Sequence, residues 1–246
     1  MTAQHQPRTA LVTGGSGGIG RAVVERLARD GFSVAVHYSG NRDRAESVAA
    51  RARETGVEAV VVGGDVADET AMAAAFSEAE EALGGLDVVV NTAGIMILGP
   101  VATFDLADLD RMHRTNIRGP FVIAQLAAAR LRPGGAIIGF STSVTRTSFP
   151  TYAPYVASKA AVEAMTLVLA RELRGRDITV NAVAPGPTAT PLFLDGKSEE
   201  EVARLSGAVP LERLGQPEDI AETVAFLAGP GRWINGQIVF VNGGLA

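Results

Sequence analysis

The chain contains no cysteine, which excludes disulfides, thiolate catalysis and cysteine-based metal sites. Histidine is scarce as well. His5, His37 and His113 stand at no metal-ligand spacing, so no metal site is expected. Positive charge is not in excess, since 22 Lys and Arg against 27 Asp and Glu leave a net charge of −5. A nucleic-acid partner wants a basic face, and none is indicated. No apolar run reaches the roughly 20 residues of a membrane-spanning helix. Residues 1–7 are polar and lack the apolar core of a secretory signal. They are read as a short disordered tail, and the protein as soluble and cytoplasmic.

What is present is apolar residues, 47% of 246, enough for the core of one α/β domain. Short β-rich runs at Ala10–Thr13, Val34–His37, Ala59–Gly63, Val88–Asn91, Ala136–Phe140, Thr179–Val183 and Ile238–Val241 are mostly continuous in apolar character. That is the pattern of parallel strands buried on both faces. Helical stretches lie between them at Ile19–Arg29, Arg42–Glu54, Glu69–Leu83, Leu106–Leu131, Tyr155–Leu173 and Pro217–Leu227. The alternation predicts a Rossmann-like, doubly wound parallel sheet of about seven strands with helices on both faces. One domain is expected over residues 8–246. Residues 186–215 depart from the pattern, being rich in Pro, Gly, Ser and charge, with one short helix capped by Ser198 and Glu201. Such an irregular segment in a compact domain reads as a substrate lid.

Two motifs carry chemistry. Thr13-Gly14-Gly15-Ser16-Gly17-Gly18-Ile19-Gly20 joins the first strand to the first helix. Gly14 permits the tight turn, Gly18 lets the backbone approach a pyrophosphate, and Gly20 allows close helix–strand packing. The N–H groups and dipole of the Ile19 helix favour the anion. The second motif, Tyr155-Val156-Ala157-Ser158-Lys159, places a phenol and an ammonium one turn apart on a helix. A free phenol, with a pKa near ~10, is a poor base at neutral pH. A nearby ammonium is expected to lower that value.

The Gly-x3-Gly-x-Gly spacing together with Tyr-x3-Lys resembles the short-chain dehydrogenase/reductase family in its single-domain form. Further motifs follow in order. Asp65-Val66 resembles the adenine-contacting pair, and Asn91-Thr92-Ala93-Gly94 resembles Asn-Asn-Ala-Gly with Thr in second place. Asn116 stands where the family has its active-site Asn. Pro185-Gly186, with Thr188 and Thr190, resembles the segment that holds the nicotinamide. Ser141-Thr142-Ser143, the stretch from Asn181 and Asn235-Gly236-Gln237 point to the branch of 3-oxoacyl-carrier reductases and hydroxynaphthalene-type ketone reductases.

The resemblance implies hydride transfer between a nicotinamide and a ketone or alcohol. Tyr155 is then the acid-base residue. Lys159 supports Tyr155 and the ribose, and Asn116 holds a water that links Lys159 to solvent. The family's carbonyl-polarising Ser lies 13 residues before the Tyr, which lands on Thr142. Thr142 and Ser143 are both candidates, with Ser141 behind them. The cofactor residues implied are Gly14, Ser16, Gly17, Gly18, Ile19, Tyr38, Ser39, Asn41, Arg42, Asp65, Val66, Asn91, Ala93, Gly94, Tyr155, Lys159, Pro185, Gly186, Thr188 and Thr190.

No carboxylate ends the second strand before Asp43, and Arg42 offers a guanidinium suited to a 2′-phosphate. NADP(H) is therefore favoured, with NAD(H) left open through neutral hydrogen bonds from Ser39 and Asn41. Arg42 is otherwise a solvated first-turn residue, and Gly17 stands where many NADP-dependent relatives place a basic residue. Met96, Thr145, Phe149, Tyr152 and the lid are expected to line an apolar substrate pocket. Arg146, Lys197, Arg204 and Arg213 are the candidates for a basic entrance.

The resemblance also implies a homotetramer built on the helices Leu106–Leu131 and Tyr155–Leu173 and the last strand. Val162, Met165, Leu167, Val168 and Leu169 make the second helix apolar on much of its surface. Two other functions compete. A dinucleotide-sensing regulator would not need Tyr155, Lys159 and Asn116 together. An extended-type sugar-nucleotide epimerase or dehydratase would need a longer chain.

Overall fold

The computed structural model describes residues 7–246. Of the disordered-tail expectation for residues 1–7, residues 1–6, His5 included, lie outside them, and Pro7 is described as exposed and in no helix or strand. The strands are β1 (Thr9–Thr13), β2 (Ser33–Tyr38), β3 (Ala59–Gly63), β4 (Val88–Asn91), β5 (Ala136–Phe140), β6 (Thr179–Pro185) and β7 (Ile238–Val241). They form one sheet in the order β3-β2-β1-β4-β5-β6-β7, parallel throughout. The helices are α1 (Gly18–Arg29), α2 (Arg42–Glu54), α3 (Glu69–Leu83), α4 (Leu106–His113), α5 (Gly119–Arg130), α6 (Val144–Thr147), α7 (Ala153–Glu172), α8 (Pro191–Leu194), α9 (Glu199–Gly207) and α10 (Pro217–Ala228).

Two cores flank the sheet. On one face Val12, Val34, Val88 and Ile138 pack under α1, α2 and α10. On the other, Leu11, Ala35, Val89 and Ile137 pack under α3, α5 and α7. Adjacent residues of each strand serve opposite cores, which is why the strand runs are apolar without alternation. The strand order reverses between β1 and β4, so a crevice opens at their carboxyl ends. Among the described residues no helix is long and apolar enough to cross a membrane.

The single helix expected over Leu106–Leu131 is interrupted. Residues Arg114–Arg118 form a π-turn between α4 and α5, in which the Gly119 N–H bonds back to the Arg114 carbonyl. Pro120 explains part of this, because it has no N–H to close the ordinary bond to the Asn116 carbonyl. The segment 186–215 also contains more structure than expected. Thr190 caps the unforeseen α8, while Ser198 accepts from the Glu201 N–H to start α9 as expected. Thr188 and Gly215 form a parallel bridge in which the Ala189 N–H donates to the Gly215 carbonyl at 2.8 Å and the Gly215 N–H to the Pro187 carbonyl at 2.9 Å, so the two ends of this segment meet.

His37 is buried in β2 beneath the Gly-rich loop. Its Nε2 pairs with the Gly64 carbonyl at 3.1 Å, and its Nδ1 faces the Gly14 N–H at 3.4 Å. Accepting at Nδ1 requires the neutral ring. Burial pushes its pKa down from 6.5 to about 4, against the Gly64 hydrogen bond. The folded chain thus refuses a proton that the unfolded chain takes up, so stability is full above pH 6.5 and falls as the pH drops toward 4. Between about pH 7 and about pH 5 the parent should lose roughly 2 kcal/mol from this group. Urea unfolding at the two pH values should show that loss in the parent and a flatter profile in His37→Gln. Equal slopes for the two proteins would exclude His37 as the source.

Candidate active site

The Gly-rich loop leaves β1 at the crevice. Gly14 has φ +66, a left-handed conformation that favours glycine. A Cβ on Gly20 would sit 2.3 Å from the Gly14 carbonyl oxygen, so α1 approaches the loop as only glycine allows. Gly17 caps α1 without a side chain, leaving the first N–H groups of the helix to the crevice. After β4, Thr92 clamps the loop, its hydroxyl donating to the Thr13 carbonyl at 2.6 Å. The Thr13 hydroxyl bonds Asn91 at the same distance. Thr190 crosses above, with its Cγ2 lying 3.6 Å from where a Cβ on Gly18 would stand. These features fit a dinucleotide pyrophosphate.

Other expected cofactor residues distribute unevenly. Asp65 accepts from the Ala67 N–H and pairs with Arg114 at 2.7 Å. The Val66 side chain is buried against Gly119, and the Tyr38 ring lies against Gly63. Ile19, Gly94, Pro185, Gly186, Thr188 and Thr190 line the deeper cleft. The Asn41 side chain is occupied as the cap of α2, accepting from the Arg44 N–H at 2.9 Å. Arg42 turns to Glu46 at 3.5 Å. It is Arg44 whose guanidinium reaches the Gly-rich loop at Gly17.

Tyr155 and Lys159 are both buried in the first turns of α7. The Lys159 ammonium donates to the Phe140 carbonyl at 3.0 Å and lies 5.8 Å from the Tyr155 ring centre. Burial pushes its pKa down to about 8. Burial pushes the Tyr155 phenol up, Tyr152 adds to this, and a hydrogen bond with Thr142 pulls the other way. The expected lowering by Lys159 is thus not the governing effect, because the ammonium is spent on Phe140 and desolvation dominates. The result is a phenol held protonated at neutral pH.

Asn116 sits in the π-turn, wholly buried. Its amide bonds the Ile95 N–H and carbonyl at 2.9 and 2.8 Å and the Ser158 hydroxyl at 3.1 Å. Gly94 lets Asn116 and Lys159 approach, since a Cβ there would stand 3.3 Å from the Asn116 Oδ1 and the Lys159 Nζ alike. The sequence motif contains Ser158 without revealing this bond.

The three hydroxyls after β5 are not equivalent. Ser141 donates to Glu163 at 2.5 Å. Ser143 donates to the Ala184 carbonyl and accepts from Asn242, both at 3.1 Å. Thr142 accepts a long bond from the Val144 N–H at 3.4 Å and meets Tyr155. Its proton is the one not committed to a protein carbonyl or carboxylate. Glu163 and Asn242, which hold the two serines, are neighbours of the site that sequence reasoning missed. Nothing in their spacing signals the contact.

The cleft encloses about 1010 Å³ of space including its open mouth. Met96, Phe149, Tyr152, Leu192 and Phe193 line it as expected, joined by Val144, Leu205, Ala208 and Leu245. Thr145 does not line it, because its hydroxyl is drawn to Glu163 at 2.9 Å. Arg146 lies over Phe240, Lys197 bonds the Phe193 carbonyl, and Arg213 pairs with Asp219, so three of the four expected entrance cations are engaged elsewhere.

Residues 14–246 match the family described as enoyl-(acyl carrier protein) reductase. A short-chain type dehydrogenase/reductase of Picea abies is 45% identical over 248 residues, covering 96% of this chain and 92% of that protein. The chain belongs to the short-chain dehydrogenase/reductase family. Family members named among its relatives are oxidoreductases. The 3-oxoacyl-acyl-carrier-protein reductase FabG of Staphylococcus aureus is 40% identical, covering 97% of this chain and 98% of its own. A short chain dehydrogenase of Burkholderia cenocepacia, solved in complex with NADP, superposes with a TM-score of 0.92 at 38% identity over 99% of both chains.

Proposed function

We propose that this short-chain dehydrogenase/reductase is an NADP(H)-dependent carbonyl reductase acting on a medium-sized apolar ketone or aldehyde, reversible as an alcohol dehydrogenase. The observation that carries the reading is the buried set of Tyr155, Lys159 and Thr142 lining an apolar cleft beside the Gly-rich loop, with Asn116 buried behind Lys159 at Gly94. The loop Gly14–Gly20, Asp65, Asn91–Gly94 and Pro185–Thr190 would hold the cofactor, with Lys159 at its ribose. A nicotinamide cofactor held there would supply the hydride for a carbonyl carbon. Tyr155 donates its proton to the carbonyl oxygen, and Thr142 donates a hydrogen bond to the same oxygen. Lys159 passes a replacement proton toward Tyr155, and Asn116 orders the water that connects Lys159 to solvent.

The relatives include an NADP-bound dehydrogenase, which supports the cofactor choice. A loss of NADPH absorbance with quinones, diketones or acetoacetyl esters would bear the reading out. Tight NADPH binding with no turnover on any of them would favour the dinucleotide-sensing regulator instead.

We also propose a homotetramer, placed in the cytoplasm. Phe121 on α5 and Val168 on α7 are 62% and 55% exposed beside a long apolar groove between the two helices. Val162 and Leu169 are buried in the chain's own core, so the outward face is Leu167, Val168 and part of Met165. An apolar face of this kind is typical of an interface between copies. Light scattering should give four times the chain mass for the parent and a smaller species for Val168→Glu. A monomeric parent would end the assembly proposal.

A further inference from the structure

Arg44 occupies a position that no charge pattern in the sequence singles out. It is the third residue of α2, and its backbone N–H is fixed by the Asn41 cap. From there its side chain spans to the β1–α1 loop. Its terminal nitrogen comes within 2.7 Å of where a Cβ on Gly17 would stand, and its central carbon within 3.6 Å.

That contact explains a glycine the backbone does not require. Gly17 has φ −166 and ψ 173, extended backbone open to any residue. What a side chain at position 17 would displace is the guanidinium of Arg44. The neighbouring arginines of α2 are engaged, Arg42 and Arg53 with Glu46 and Arg51 with Glu25. Among the described residues, no carboxylate lies within ion-pair distance of Arg44.

We propose that Arg44, seated over Gly17, is the residue that selects NADP(H) by pairing with the 2′-phosphate, in place of Arg42. The proposal rests on the NADP(H) reading above and names the group behind it. The adenosine ribose of a dinucleotide lies between the Gly-rich loop and the end of β2, where its 2′ position is read. Arg44 bridges those two elements. A guanidinium with no protein carboxylate is free to meet a phosphate with two parallel hydrogen bonds.

The experiment measures equilibrium dissociation constants of NADPH and NADH by nicotinamide fluorescence, at low salt, for the full chain. The parent should bind NADPH more tightly. Arg44→Ala should weaken NADPH by roughly 10- to 100-fold, the scale of one charge-assisted contact, and leave NADH within a few-fold. Arg42→Ala should change neither beyond a few-fold. Arg44→Lys should keep part of the preference, as a point charge does. Gly17→Ala should weaken NADPH in the parent and have no further effect in Arg44→Ala, since both act through one guanidinium.

A preference that survives Arg44→Ala, or one lost equally in Arg42→Ala, overturns the assignment to Arg44 alone. A parent that binds the two cofactors alike overturns the NADP(H) reading, and this proposal with it. Equal losses for both cofactors in Arg44→Ala would mean a structural role and would also overturn it.

Discussion

Replacing Tyr155 with Phe should lower turnover by roughly 10²- to 10⁴-fold, the range attributed to a positioned acid or base. Dissociation constants for the cofactor should stay within a few-fold of the parent. The substitution removes one hydroxyl and keeps the ring that packs edge-on against Tyr152 at 6.5 Å between centres. Because burial holds the phenol protonated, the proton lost with that hydroxyl is the one the carbonyl oxygen would receive. Single-turnover reduction with prebound NADPH isolates the chemical step. A variant that retains most of its single-turnover rate would remove Tyr155 from the reaction and leave Lys159, about 8 in pKa, as the acid to test next.

The second large effect is expected at Thr142. Thr142→Val preserves the branched shape and deletes the hydroxyl, and turnover should drop by about 10²-fold, as when a donor to a developing oxyanion is lost. Ser143→Ala should cost far less in turnover. Its hydroxyl is occupied by Ala184 and Asn242, so its loss should show first in thermal stability. Steady-state kcat and melting temperature for the two variants separate these roles. Comparable losses of kcat in both would mean that the two hydroxyls share the carbonyl, and a mild effect in both would point to Ser141.

The parallel sheet is legible because burial on both faces writes mostly apolar runs, as in Val88–Val90, with the few polar residues inside them, such as His37 and Asn181, held by hydrogen bonds. The Gly-rich loop and the Tyr155–Lys159 pair are legible because their spacing is local. The π-turn is not, since one extra residue per turn leaves the apolar pattern on both sides intact and only Pro120 marks it. The choice among Ser141, Thr142 and Ser143 depends on Glu163 and Asn242, the latter 99 residues distant from Ser143. The sequence points to Arg42, the first arginine after β2, and gives no sign of Arg44, for a rotational reason. Residues two apart on a helix point about 160° away from each other. Until Asn41 is known to be the cap, either could face the loop.

The meeting of Thr188 with Gly215 has a consequence for how such a chain could be redesigned. The residues between 191 and 214 leave and rejoin the body at neighbouring points, and they carry Leu192, Phe193, Leu205 and Ala208 into the cleft. They contain neither Tyr155 nor Lys159 nor any strand of the sheet. The stretch could therefore be exchanged as a cassette, provided that its contacts with the C-terminal residues, Val209 and Leu211 against Gly243 and Pro210 against Gly244, are kept. A chimera carrying a foreign cassette of similar span would inherit a new repertoire of compounds on an unaltered reaction engine.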